Sequence, residues 1–222
     1  MTIDVWDAPT ATTPVAIEPL QRQEAGTVID VLVRGMRDNP VHVAAFGEDP
    51  DRRSHTLRKL FSLLSRKPEI LDNARVARDA DGAVVGVYSV LAPGSCRMKP
   101  LERVLMSPVM MMTLGIGNGR RAARWLGDWA KHDPDVPHWH FGPLAVDAHL
   151  QGKGIGSALM RDFCARMDAE GGTAYLETDK EINVHFYRKF GFEVIDEADV
   201  LGVPNWFMLR QPAEGARASI DS

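Results

Sequence analysis

An α/β domain on a mixed sheet is the fold class this sequence predicts, and three observations predict it. From Trp139 onward, apolar runs of strand length alternate with segments of helical period. Earlier in the chain, Asn73 to Arg78 and Ala83 to Leu91 flank an Asp81-Gly82 turn, a hairpin signal. Between one strand and the helix after it, glycines stand at 152, 154 and 156, where a backbone must turn tightly.

Each element follows in order. Residues 1–13 are rich in Thr, Ala and Pro and read as a loose lead-in; 14–210 read as one domain; 211–222 read as a frayed tail. Val15 to Ile17 open the fold as a short strand. Ala25, Val28, Leu32 and Met36 recur at helical spacing. Asp51 is the expected cap of a second helix, with Leu57, Leu60, Phe61 and Leu64 at i, i+3, i+4 and i+7. The hairpin comes next. Residues 98–137 are less regular: Met106, Met110, Met111 and Met112 crowd one stretch, and Ala122, Trp125, Leu126 and Trp129 then mark an amphipathic helix. Methionine is an adaptable filler, so the stretch reads either as ordinary core or interface or as the wall of an acceptor pocket.

Trp139 to Val146 reads as a strand and Asp147 to Gly154 as a loop. A helix from Ile155 to Ala169 carries an apolar stripe at Ile155, Leu159, Phe163 and Met167 and stops at Gly171-Gly172. Thr173 to Thr178 is the next strand. Thr178 and Glu181 have capping-box spacing and open a helix to Phe190, with Ile182, Phe186 and Phe190 as its expected core stripe. Phe192 to Ile195 and Trp206 to Leu209 complete the strands.

Composition narrows the function. The chain has 222 residues with a net charge of −4, which argues against a nucleic-acid partner. No run approaches the roughly 18 apolar residues that span a membrane, and the first residues lack a basic, apolar leader, so the expected location is the cytoplasm and the expected partner no membrane. The two cysteines, Cys96 and Cys164, show no metal-ligand spacing, and no metal is expected.

The chemistry concentrates in Gln151-Gly152-Lys153-Gly154-Ile155-Gly156-Ser157. Bare glycine backbone and the free N–H groups of a helix's first turn form an anion site suited to a pyrophosphate, and Lys153 can add a point charge. The dinucleotide pattern read from Gly152 fails at Ser157, which stands where a glycine is wanted. The Walker pattern fails because Lys153 is followed by Gly154. A rival run, Gly115 to Arg120, has no strand before it and reads as a plain connection.

Leu144-Ala145-Val146, four residues, then Gln151-Gly152-Lys153-Gly154-Ile155-Gly156 resembles the motif of the GCN5-related N-acetyltransferase (GNAT) family. Asn183 and Tyr187, followed by Gly191-Phe192, resemble that family's next helix. The resemblance covers about His140 to Ile195 and, more loosely, the rest. A looser likeness points to the puromycin N-acetyltransferase branch, through Gln151 to Ala158, Leu176-Glu177-Thr178, Phe186-Tyr187 and Trp206.

The resemblance implies a single domain with a mixed, mostly antiparallel twisted sheet, a splayed central strand pair and flanking helices. It implies an acyl-CoA-dependent N-acyltransferase that moves acetyl from acetyl-CoA to an amine of a small molecule, in a ternary complex; the protein can be a homodimer. It places cofactor contacts at Leu144, Val146, Gln151, Gly152, Lys153, Gly154, Ile155, Gly156, Ser157, Asn183 and Tyr187. Pro143 lacks an N–H, so the amide that polarises the thioester is assigned to Leu144. Tyr187, four residues from Asn183 on one helix face, becomes the general acid at sulfur. His140, Glu177 or a water chain is the base, and His138, His149 and His185 are expected at the surface. Glu177, Asp179 and Glu181 hint at a cationic acceptor. The second reading is a non-catalytic acyl-CoA-binding module on the same fold, and the third is a nucleotide-binding α/β protein.

Overall fold

A computed structural model describes residues 13–95 and 100–213. The expected lead-in and tail fall outside these apart from Thr13 and residues 211–213, as does Cys96. The strands are β1 (Ala16–Pro19), β2 (Arg75–Arg78), β3 (Val84–Leu91), β4 (Trp139–Val146), β5 (Ala174–Thr178), β6 (Glu193–Val200) and β7 (Val203–Arg210). They form one sheet in the order β1-β2-β3-β4-β5-β7-β6. Every neighbouring pair is antiparallel except β4 and β5, which are parallel. That pair needs a crossover, and α7 (Ile155–Ala169) supplies it. The sheet is therefore mixed and mostly antiparallel, as expected.

Helices α1 (Ala25–Met36), α2 (Pro40–Phe46), α3 (Pro50–Leu64), α4 (Pro68–Asp72), α5 (Pro100–Leu114) and α6 (Ile116–Trp129) precede β4, and α8 (Glu181–Arg188) follows β5. Two apolar clusters result. One joins α1, α2, α3, α5 and α6 to Val76, Val87 and Ala145; the other packs Leu159, Phe163 and Met167 of α7 and Val184 and Tyr187 of α8 on Val85, Tyr88 and Phe141. Each fully buried side chain on α7 contributes about 2 kcal/mol. No helix among the described residues is long and apolar enough to cross a membrane.

Several expected boundaries shift for local reasons. Asp49, not Asp51, caps α3: its carboxylate accepts from Asp51 N–H and Arg52 N–H, and Pro50 takes the first helical position. Helices α2 and α4 also begin at proline, and at seven and five residues they are too short to show a period. Lys180, not Thr178, precedes α8; Thr178 Oγ1 instead accepts from Asn183 Nδ2 at 3.1 Å. The expected core stripe of α8 is corrected in part: Phe186 and Phe190 pack half-buried against the core, but Ile182 is exposed, and Val184 and Tyr187 are the buried positions because the helix turns that face to the sheet. β6 and β7 run eight residues each, longer than expected, because β6 is a largely exposed edge strand rich in acids.

Candidate functional site

The site begins where β4 leaves β5. These strands pair only at Trp139↔Ala174 and His140↔Tyr175, and beyond them a gap opens. Pro143 cannot donate to a ladder, and the β3–β4 register slips between Tyr88 and Val90, opposite it. Asp147 N–H donates to Val85 O at 2.9 Å, which sets the alternation along the end of β4. Asp147 and Ala145 face β3, so Leu144 and Val146 turn their amides to the gap.

After β4 the chain enters the glycine-rich loop. Arg34 of α1 donates two hydrogen bonds to Asp147, at 2.9 and 2.6 Å. Burial alone would raise the Asp147 carboxyl; Arg34 outweighs it and holds the group below the ordinary range. Gln151 Nε2 donates to Gly35 O and Val146 O, both at 3.1 Å, tying the loop to α1 and β4. Gly154 caps α7 in the left-handed conformation (φ 82°) with no side-chain cap, so the first-turn N–H groups stay open to a ligand. Ile155 anchors the turn in the core, while Gln151, Gly152 and Lys153 are exposed and Ser157 is half-buried. A Cβ on Gly156 would meet Phe186 and Val146 at ordinary contact distance. The rival run at Gly115 to Arg120 opens α6, where a Cβ on Gly119 would lie 2.6 Å from Met111 Cα. Gly119 lets two helices touch, and the run forms the first turns of a helix, not the plain connection expected.

Across the gap the polar groups converge. His140 Nε2 lies 3.0 Å from Glu177 Oε2, and His140 Nδ1 lies 3.7 Å from Asp133 Oδ1. The Glu177 and Asp133 side chains are 4% and 3% exposed, and His140 is 20% exposed. The two candidate bases are thus one coupled unit. His138, expected at the surface, is buried; its ring stacks edge-on to Tyr175 and its Nδ1 sits 2.8 Å from Val136 O. His149 and His185 are exposed. Asp133, His138 and His140 bring three donor atoms within 4.8 Å of one another, a set that can hold a divalent ion.

Tyr187 is buried against Phe141, Phe186 and Phe192. Burial, and then the charge of Asp179, pushes its phenol well above the ordinary tyrosine range. Asp179 Oδ2 accepts from Val41 N–H at 2.8 Å. His42, which sequence reasoning missed, is buried beside it. Burial pushes His42 below the usual histidine range, against the pull of its Met36 O contact and of Asp179.

A cavity of about 410 Å³ unites these groups: Asp133, His140, Glu177, Asp179, Asn183 and Tyr187 line it, together with Leu144. Met106 and Met110 line it as well, whereas Met112 is exposed, so the Met-rich stretch is divided between pocket wall and surface. Glu181 is exposed in the first turn of α8 and does not line the cavity. Asp133 was missed because it lies in an irregular Pro-rich turn. The His138-x-His140 alternation, which turns both rings to one side of a strand, was the signal that a polar cluster stood there.

Residues 113–192 match the model of the acetyltransferase (GNAT) family. Among solved structures, the chain shares its fold with a histone acetyltransferase HPA2 and related acetyltransferase from Corynebacterium glutamicum, at 24% identity and TM-score 0.69, covering 90% of this chain and 97% of that one. A polyamine N-acetyltransferase of Drosophila melanogaster matches at 14% identity and TM-score 0.63, over 89% of this chain and all of the other (100%). A GNAT family acetyltransferase from Brucella melitensis, solved with acetyl-CoA, matches at 17% identity and TM-score 0.50, over 92% and 99% of the two chains. The matched stretch holds the gap, the glycine-rich loop and the helix of Tyr187, and over it the chain is similar to the acetyltransferase (GNAT) family.

Proposed function

We propose that the protein is an acetyl-CoA-dependent N-acetyltransferase that acts on a small-molecule amine by direct attack in a ternary complex. One observation carries this reading: the gap beside β4, the coupled His140–Glu177 pair and the buried Tyr187 line a single cavity.

The residues fit the cosubstrate. An extended pantetheine arm can pair with β4 as an added strand, at Leu144 and Val146, and Asn183 borders the same space. The pyrophosphate fits the uncapped N-terminus of α7 behind Gly154, with Lys153 nearby. The Leu144 amide is the donor to the thioester carbonyl and then to the oxyanion.

Proton handling follows from the geometry. As the amine nitrogen bonds to the acetyl carbon, its proton passes to the His140–Glu177 pair, whose ring nitrogen and carboxylate oxygen stand 3.0 Å apart. The C–S bond then breaks and negative charge grows on sulfur. Tyr187 keeps its proton at neutral pH because its phenol is pushed up. Its hydroxyl is the group proposed to donate, as general acid, to the developing thiolate. Cys164 takes no part: it is buried, and burial pushes its thiol up.

Tyr187→Phe tests the assignment. The ring keeps its aromatic contacts, so stability and the acetyl-CoA dissociation constant should hold while kcat falls about 10²-fold, the usual effect of deleting such a donor. A kcat within about threefold of wild type, with chemistry rate-limiting, would return Tyr187 to a packing role.

A further inference from the structure

The charges around the cavity are one-sided. Its lining includes three carboxylates, Asp133, Glu177 and Asp179, all tied to the gap. Glu177 and Asp179 stand two residues apart at the end of β5 and just past it, and Asp133 touches His140. Among the described residues, the walls from α1, α3, α4, α5 and α6 contribute no carboxylate. They offer apolar side chains such as Leu32, Phe61, Leu64, Met106, Leu126 and Trp129. Lys67, in the lining away from the gap, repels a cation.

We infer that the acceptor is an amine with one cationic end on an apolar body, such as an aryl- or alkyl-monoamine, and not a polyamine or a guanidino-amine; this rests on the acetyltransferase reading above. The ammonium enters at the gap, where buried carboxylates replace its lost hydration. The apolar body lies along the helical walls. A second cation on that body would sit among apolar side chains near Lys67, with no carboxylate among the described residues to meet it.

The experiment compares octylamine and phenethylamine with agmatine, spermidine and the diamine of the octyl chain. It uses the full chain, thiol release from acetyl-CoA, and, separately, quenching of Trp125 and Trp129, both of which line the cavity. The monoamines should show kcat/KM at least about tenfold above the others, because an uncompensated buried charge is costly. Met106→Glu, which puts a carboxylate on the apolar wall, should narrow or reverse the ratio between octylamine and its diamine. Equal or better turnover of polyamines overturns the inference while the acetyltransferase reading stands. Monoamines that quench the tryptophans without releasing thiol overturn the acetyltransferase reading and support the cavity assignment. Monoamines that neither bind nor react overturn the inference.

Discussion

His42 shows how one buried side chain couples the fold to pH. Its folded pKa is depressed from 6.5, chiefly by burial, so acid protonates the unfolded chain first. The His42 contribution to stability is therefore level above about pH 6.5 and falls below it, by up to about 1.4 kcal/mol per pH unit. Asp38, held at about 2 by Arg37 and Arg53, and Asp168, lowered by Arg210, lose their contributions only at much lower pH. His42→Gln, which keeps a donor for Met36 O and does not titrate, should flatten the decline in urea midpoint between about pH 7 and about pH 5. An unchanged slope would place the titration elsewhere. Neither His42 nor Asp133 was legible in the sequence as part of a site. Each meets its partners across long stretches of chain, and no local period records such contacts. Gln151 to Ser157 was legible because its chemistry is a property of contiguous backbone.

Elements with a long stripe were legible and short ones were not. Helix α7 repeats an apolar residue every four positions, whereas α2 and α4 end before a period can form, and β6 hides behind exposed acids. Two glycines test how the elements hold the site. In α1, Gly35→Ala gains about 1 kcal/mol of helix propensity, but its Cβ would lie 2.5 Å from Val146 O, a backbone atom. Overpacking of about 1–3 kcal/mol wins, so the variant should melt lower and bind acetyl-CoA more weakly as Val146 is displaced. In α7, Gly156→Asp has room for its Cβ, and a carboxylate in a first helical turn is favourable to the helix. Its thermal midpoint should hold or rise while acetyl-CoA affinity falls by about 10²-fold, through repulsion of the phosphates. Undiminished affinity in the folded variant would move the phosphate site away from α7.

At the scale of the whole molecule, one sheet separates two apolar clusters, and the cavity reaches Tyr187 of the α7–α8 side from the helical side of α1 to α6. Residues far apart in sequence therefore line one space, and chemistry at the gap depends on both layers keeping their seats. The divergence of β4 from β5 also has a signature in solvent exchange. The Asp147 amide is already bonded to Val85 O, and by the same alternation Ala145 faces β3, so both should exchange slowly with or without ligand. Leu144 and Val146 face the gap and should exchange quickly in the free protein. Acetyl-CoA should then slow deuterium uptake at alternate residues of a single strand, Leu144 and Val146, and leave their neighbours unchanged. Protection of Ala145 and Asp147 instead would mean that the cofactor does not complete the sheet there. An alternating footprint is what an added strand leaves, so the break in the ladder turns deuterium uptake into a residue-by-residue record of which edge the cofactor covers.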